Sequence, residues 1–421
     1  MKLMSVAGIP LESFLILPIT LAAFLVLLMI IVFIHEYGHF SVARMLGIRV
    51  EVFSIGFGKP LLRWIDKKGT EWRIAALPLG GYVKFFGDLN AASQASPAVE
   101  QKPATTQFPA PGKEDELAQV MTPEERKVCF HFKPVWARAM VVAAGPLANF
   151  VLAVAIFAAL FMALGRGVLE PVVGAVTPDS AAAEAGIEPG DRIVSVDGRE
   201  ITQFDQLYDL VLLSGGDEMR IQIERAGQAV ELTVTPRRVE DVDRYGNNIE
   251  RWLLGIGPDA KSYSFKKYGP LGAIGEAFGE LNRILSLTVK FLGKIILGKE
   301  DAKQLGGPIK MAQYAGQSVM SGFDESRYSE PPGFWLMLKR SLIDFVSLAA
   351  VVSVSIGFLN LLPVPVLDGG HLLYYAYEAV VGKPLGARVQ AMGFRVGIVM
   401  LASLMIFVTW NDINNLLSIF S

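Results

Sequence analysis

The chain has 421 residues, 52% of them hydrophobic and only 19% charged, with a formal net charge of -2. Soluble domains carry about 25% charged residues, so this composition, with a mean hydropathy of +0.40, points to a membrane protein. The near-neutral balance lacks the basic field that nucleic acid requires, and a single cysteine, Cys129, excludes an intramolecular disulfide and a cysteine-rich metal site.

Residues 14–34 form an uncharged apolar run. At about 1.5 Å rise per residue it spans a hydrocarbon core roughly 30 Å thick. It is too long for a cleaved signal peptide, no small-residue cleavage site follows it, and a retained helix is expected. A second span fits residues 139–164, bracketed by Arg138 and Arg166. A third fits 342–362, after Lys339 and Arg340, and contains Asp344; a fourth fits 396–410, after Arg395, with Trp410 as an interfacial anchor. The apolar stretch 271–297 is read differently. Its charges, Glu276, Glu280, Arg283, Lys290 and Lys294, fall on one stripe at helical spacing, opposite Ile274, Phe278, Leu281, Leu285, Leu292 and Ile296. Charge at membrane depth is costly, so this segment is expected to lie in the interface.

Basic residues set the expected orientation. Arg44, Arg49, Arg126, Lys127, Lys133 and Arg138 flank the first two spans, and Lys383, Arg388 and Arg395 lie between the third and fourth. Both groups are expected on the cytoplasmic side, which leaves both termini and the long segment 165–340 outside; Lys339 and Arg340 weigh against this.

His35-Glu36-Tyr37-Gly38-His39 closes the first apolar run. Residues four apart share a helix face, so both imidazoles can meet one tetrahedral ion, and Glu36 beside them can take a proton from a zinc-activated water. A catalytic zinc site takes three protein ligands and an open position. The third must come from elsewhere in the chain. The first and third spans run the same way through the bilayer, which puts the segment Asn360-Leu-Leu-Pro-Val-Pro-Val-Leu-Asp368-Gly-Gly-His371 on the same side as the histidines. Pro363 and Pro365 break the helix there, and irregular backbone at membrane depth is tolerated only beside protein or a wet cavity. On chemistry alone Asp368 and His371 compete as the third ligand. His131 is expected to be a solvated loop residue.

HEYGH, FSIGFGKPL (53–61), LPLGGYVKFFGD (77–88), GPLAN (145–149) and NLLPVPVLDGGH (360–371), in this order and on these spans, resemble bacterial site-2 proteases of the regulator-of-sigma-E type. The resemblance covers nearly the whole chain. It implies His35, His39 and Asp368 as ligands of one zinc ion and Glu36 as general base and acid. It also implies Asn149 and Asn360 near substrate, where an amide supplies both a donor and an acceptor to a peptide bond inside a membrane. LPLGGYVKFFGD reads as a strand, a Gly-Gly turn and a strand; Gly80, Gly81, Tyr82 and Val83 are expected to present an unwound substrate by strand addition.

The expected fold is a polytopic α-helical membrane protein of about four transmembrane helices, with a membrane-associated β-hairpin and one extramembrane α+β PDZ domain. The first span with its HExxH occupies 1–52 and the hairpin region 53–90, followed by a disordered cytoplasmic linker and short helix over 91–135. The second span lies at 136–166, the PDZ domain at 167–260, and the interfacial helix with a bracing segment at 261–340. The third span with LDG lies at 341–371, then a cytoplasmic loop, the fourth span and the C-terminus at 372–421. Relatives with two tandem PDZ domains are familiar; only one is legible here, and it either binds an extended peptide or excludes bulky substrates.

The function implied is regulated intramembrane proteolysis of a single-pass membrane protein, such as an anti-sigma factor or a remnant signal peptide, after an upstream site-1 protease has trimmed it. Membrane lipid is a partner, nucleic acid is not, and the location implied is the bacterial inner membrane. A non-catalytic scaffold sits poorly with an intact Glu36 and ligand set. A zinc transporter needs polar residues threading the spans, which are scarce beyond Asn149, Asp344 and Asn360.

Overall fold

A computed structural model of the chain describes residues 5–6, 9–87, 121–242, 248–324 and 332–418; the linker expected over 91–116 lies outside them. From Leu11 onward, helix α1 (Leu11–Met45) is followed by strands β1 (Val50–Ile65) and β2 (Glu71–Phe85), the short helix α2 (Pro123–Val128) and helix α3 (Val135–Leu164). Next come β3 (Arg166–Leu169), β4 (Val173–Val176), α4 (Ala181–Glu184), β5 (Arg192–Val196), β6 (Arg199–Glu200), α5 (Phe204–Leu212), β7 (Met219–Arg225) and β8 (Gln228–Val234). Strands β9 (Arg237–Val242), β10 (Asn248–Leu253), β11 (Ile256–Pro258) and β12 (Tyr263–Lys266) lead into α6 (Pro270–Ile296), α7 (Pro308–Met320), α8 (Phe334–Asn360), α9 (Asp368–Val381) and α10 (Ala387–Ser418).

Among the described residues four helices are long and apolar enough to cross a membrane: α1 over Ile16–Met45, α3, α8, and α10 over Arg388–Leu417. They correspond to the four apolar runs; each helix begins earlier than its run, and the third ends at Asn360, two residues short of the expected 362. The first continues through HEYGH because polar side chains do not interrupt a helix. It stops where Gly47, at φ +67, takes the left-handed conformation open to glycine. The fourth is twice the expected length, since Arg388 and Arg395 also sit comfortably on a helix. Two compact units divide the chain, Met1–Val154 with Pro308–Phe407 and Ala155–Gly307 with Val408–Ser421.

In the first unit β1 and β2 each change partner midway. Residues 52–55 pair with 84–81 in opposite sense (Val52 with Lys84, Ile55 with Gly81) and, on the other side, match 71–74 in the same sense (Val52 with Glu71, Ile55 with Ile74). Residues 62–65 pair with 74–71 in opposite sense. The expected hairpin is therefore a four-layered ribbon, ordered 81–85, 50–55, 71–75, 60–65. Its turn is not Gly80-Gly81, which lie inside β2, but 66–70, closed by Asp66 N–H to Thr70 O at 3.0 Å. The two glycines serve close approach instead. A Cβ on Gly81 would stand 2.8 Å from Ser54 O and 2.9 Å from Glu36 Cγ.

Phe53 is fully buried and fastens the sheet along α1, its ring 5.9 Å from Phe33, 5.3 Å from Phe40 and 4.4 Å from Trp72. A polar node fixes the turn end. Arg44 Nη2 donates to Asp66 Oδ2 at 2.5 Å and to Thr70 Oγ1 at 2.7 Å, Trp72 Nε1 donates to the same carboxylate oxygen at 3.1 Å, and Thr70 Oγ1 donates to Val50 O at 2.7 Å. Desolvation alone would raise the Asp66 carboxyl, but the donors from Trp72, Thr70, Lys68 and Arg44 win and hold it at about 2. Helix α7 packs against α1 and α8; a Cβ on its Gly316 would meet Thr20 Oγ1 at 2.2 Å.

The second unit is an α+β domain. Its four-stranded antiparallel sheet has the order β8-β7-β5-β6, and the pairs β4–β11, β9–β10 and β3–β12 complete it. Strict alternation in β7 turns Met219, Ile221 and Ile223 inward, where Ile193, Val196 and Val234 meet the α5 residues Phe204, Leu207 and Val211. The charged stripe of α6 is keyed into this unit. Glu276 and Glu280 accept from Arg166, at 2.7 and 3.3 Å, and Arg283 Nη1 donates to both oxygens of Asp209 at 3.0 Å. The opposite side leaves Leu271, Ile274, Phe278, Val289 and Ile296 exposed. The Leu305-Gly-Gly turn before α7 is clamped from α10: Asp412 Oδ1 accepts from Gly307 N–H at 2.9 Å, and Asn411 Nδ2 donates to Leu305 O at 3.2 Å.

Candidate metal centre

His35 and His39 lie one turn apart on α1, with their rings edge to face at 4.8 Å and the two Nε2 atoms 3.2 Å apart. Helix α8 ends at Asn360 because Pro363 and Pro365 supply no N–H for another turn. The chain then reverses through two short turns (Val364 N–H to Leu362 O, Leu367 N–H to Val364 O) and restarts as α9 with Asp368 in its first turn. The reversal is tight: Cβ atoms on Gly369 and Gly370 would stand 2.2 Å from Leu361 O and 2.3 Å from Val364 O. It delivers Asp368 Oδ2 to 3.1 Å from His35 Nε2 and 3.5 Å from His39 Nε2.

These three separations, 3.1, 3.2 and 3.5 Å, can be tested against an ion. Ligand atoms about 2.0–2.1 Å from a tetrahedral zinc lie about 3.3 Å from one another. The residues fit. Asp368 Oδ2 is buried and receives no ordinary hydrogen bond, so the acceptor points at the place a cation fills. Among the described residues His35, His39 and Asp368 form the group of side chains that can share a metal. Of the two candidates left by spacing, Asp368 is the one in this group. His371 turns towards the ring of Tyr374, with 6.1 Å between centroids, and is not in the group.

Helix α3 orients both rings. His39 Nδ1 lies 2.8 Å from Val141 O, which accepts only, so Nδ1 carries the proton and Nε2 presents its lone pair. Asn149, fully buried, sets its Nδ2 3.3 Å from His35 Nδ1 while its Oδ1 has no partner. With a metal on Nε2, His35 carries its proton on Nδ1, and a half-turn of the amide makes Oδ1 its acceptor and gives that atom a partner. Ser353 Oγ, on α8, donates to Asn149 O at 2.9 Å. Helices α1 and α3 cross closely at two glycines: a Cβ on Gly38 would meet Ala144 O at 2.3 Å, and one on Gly145 would meet His39 Nε2 at 2.2 Å.

Glu36 points away from this crossing, towards the sheet, with its Cγ against Gly81. Gly80, Gly81, Tyr82 and Val83 are half-buried along that strand. Tyr82 pairs with Ser54 and stacks on Phe57 at 6.2 Å, and no further strand pairs with the outer side of 81–85 among the described residues. Asn360 is half-buried at the last position of α8. Three contributors have roles here that their residue types do not announce. Val141 acts through a backbone carbonyl that no residue type announces. Gly145 stands in the sequence as the first residue of GPLAN, with nothing to mark it as a helix crossing. Arg138, Nη2 2.6 Å from Glu378 Oε1 and its guanidinium 4.9 Å from the Tyr375 ring, ties the start of α3 to α9.

The profile of peptidase family M50 matches residues 23–404. A Rhizobium meliloti protein with a provisional zinc-metalloprotease name is 44% identical over 397 residues, 94% of this chain and 96% of its own. One from Agrobacterium fabrum, similarly named, is 42% identical over 94% of this chain and 95% of its own. Metalloprotease MmpA of Caulobacter vibrioides is 39% identical over 94% and 96%.

Proposed function

The chain belongs to peptidase family M50, the site-2 protease family, and is a membrane zinc metalloprotease; from that premise we propose that it cleaves single-pass membrane proteins within their transmembrane helices, using one zinc ion held by His35, His39 and Asp368. The observation that carries the reading is the position of the ligand triad on the first apolar helix. His35 and His39 directly follow the uncharged apolar run 14–34 on the same helix, and Asp368 Oδ2 reaches them at 3.1 and 3.5 Å, so the centre stands at the end of a membrane-crossing segment, within reach of a bond near the bilayer face.

When bound, zinc supplies the Lewis acidity that makes water a nucleophile near neutral pH. Glu36 takes the proton from that water and returns it to the leaving nitrogen. A helical peptide bond is shielded by its own hydrogen bonds, so the substrate unwinds first. The free side of 81–85, beside Glu36 at Gly81, offers backbone partners for the unwound segment. Asn360 supplies a further donor and acceptor, and Asn149 acts through the His35 ring. The α+β unit is read as a PDZ domain outside the inner membrane, selecting substrates trimmed by a site-1 protease. An anti-sigma factor and remnant signal peptides are the substrate classes this architecture suits. The exposed apolar side of α6 suits a helix lying on the bilayer.

The test is co-expression of the chain or its Glu36→Gln variant with candidate single-pass helices. A chelator-sensitive fragment that disappears with Glu36→Gln supports the reading; the same fragment from both chains refutes it.

A further inference from the structure

The sheet has a second free edge, opposite the one beside Glu36. Residues 60–65 pair with 71–75 on one side only; no strand meets their other side among the described residues. The strand is exposed and apolar on both faces: Leu61 is 66% exposed, Leu62 61%, Trp64 48% and Ile65 72%. In water such an edge would recruit other chains.

Its height along α1 is fixed at both ends. The 66–70 turn is held by Arg44, next to the end of α1, whereas Ile55 and Gly81, at the other end of the sheet, lie beside Val32 and Glu36. The sheet thus runs back along α1, with the 66–70 turn at the level where that helix ends. At this end three cations cluster, Arg63, Lys67 and Lys68, all exposed and none in an ion pair among the described residues. The neighbouring acids are taken: Asp66 by Arg44, Glu71 by Arg73 and Glu51 by Lys84. Lys59, at the far end of the same strand, stands apart from the cluster.

An occupant must satisfy three demands at once: apolar contact along 61–65, negative charge beside 63–68, and acceptors for unpaired backbone N–H groups that bare hydrocarbon would leave unsatisfied. An anionic phospholipid meets all three, through its chains, its phosphate and its ester oxygens. We propose that this outer edge is a binding site for anionic phospholipid, with Arg63, Lys67 and Lys68 holding the headgroup and Leu61, Leu62, Trp64 and Ile65 against the chains. The site anchors the sheet whose inner edge faces Glu36, and it does not depend on the protease reading.

The experiment uses the full chain in nanodiscs of phosphatidylcholine and phosphatidylglycerol, with brominated chains on one lipid or the other. The Trp64 signal is the difference between the parent and Trp64→Phe. Interfacial basic residues each favour anionic lipid, so brominated phosphatidylglycerol should quench Trp64 roughly fivefold more than brominated phosphatidylcholine at equal fraction. In the triple variant Arg63→Gln, Lys67→Gln, Lys68→Gln, with helix content unchanged, the ratio should fall to about one. A parent ratio of one, or a ratio the triple variant leaves unchanged, overturns the proposal. So does a ratio of one that rises when Glu114, Asp115 and Glu116 are neutralised, since the chain's own acidic segment would then be the occupant. Edge-to-edge dimers linked through a cysteine placed at Leu62 would equally make a second copy the partner.

Discussion

His39 Nδ1 stands 2.8 Å from the carbonyl oxygen of Val141, 102 residues away in the chain. That contact fixes where the ring proton sits, and therefore which nitrogen is free for the metal. It also makes the first turns of α3 the reference frame for the site. The same helix contributes Asn149 behind His35 and Arg138 against α9, the helix that begins with Asp368.

Asn149 distinguishes a ligand-orienting role from a substrate-binding one. Asn149→Leu removes the partner of His35 Nδ1 and should weaken zinc binding roughly 10–100-fold, while Asn149→Asp, which keeps an acceptor, should retain it. Chelator competition on purified protein measures both. Unchanged zinc affinity with a raised KM would place Asn149 at the substrate instead.

Arg138 and Glu378 are both largely buried, with side chains 10% and 15% exposed. Removing one partner strands the other charge. Arg138→Gln is expected to cost about 3–5 kcal/mol, and to lower activity by loosening the helix that carries Asp368. The exchange Arg138→Glu with Glu378→Arg should recover part of both. Thermal unfolding and cleavage of a single-pass helix follow the two effects; no recovery in the exchange would mean the pair acts by packing rather than charge.

Gly145→Ala places a methyl where His39 Nε2 lies, 2.2 Å away. The ring or the helix crossing must shift, and displacement of about 1 Å at a reacting centre costs on the order of 100-fold in rate. Cleavage assays on the zinc-loaded variant check this; activity within a factor of a few of the parent would show that the crossing relaxes freely.

The Asp66 node carries a pH signature. Its folded carboxyl sits at about 2, below the unfolded value of about 3.9. The stabilisation is therefore complete above about pH 4 and is lost as the pH falls from there through about 2. Protection factors of amides in 60–75, each rate referred to the intrinsic exchange rate at the same pH, should fall over that window. In Asp66→Asn they should be low already at neutral pH and respond less to acid.

Much of this was legible in the sequence because hydropathy and ligand spacing are local. Four apolar runs marked four helices, and HEYGH marked two imidazoles that meet, since i and i+4 share a helix face. Pro363 and Pro365 marked the break that returns Asp368. What pairs distant segments was not legible. Gly80-Gly81 reads as a turn because glycine favours turns, yet here the pair permits close approach to Ser54, Phe57 and Glu36. The changing partners of β1 and β2 leave no local signal, and the Val141 carbonyl leaves none at all. The charged stripe of α6 marks an amphipathic helix, but that Arg166 binds Glu276 and Asp209 binds Arg283 is not legible, because nothing in a helical pattern names its partner.

We propose that His35, His39 and Asp368 close around one zinc ion at the end of the first apolar run. X-ray absorption at the zinc edge, with metal analysis of the purified chain and its Asp368→Ala variant, tests it most directly. The expected result is one zinc per chain in a shell of two imidazoles and oxygen, with affinity and cleavage both lost in the variant. A chain that binds no zinc, or a variant that keeps the same shell and still cleaves, would contradict it.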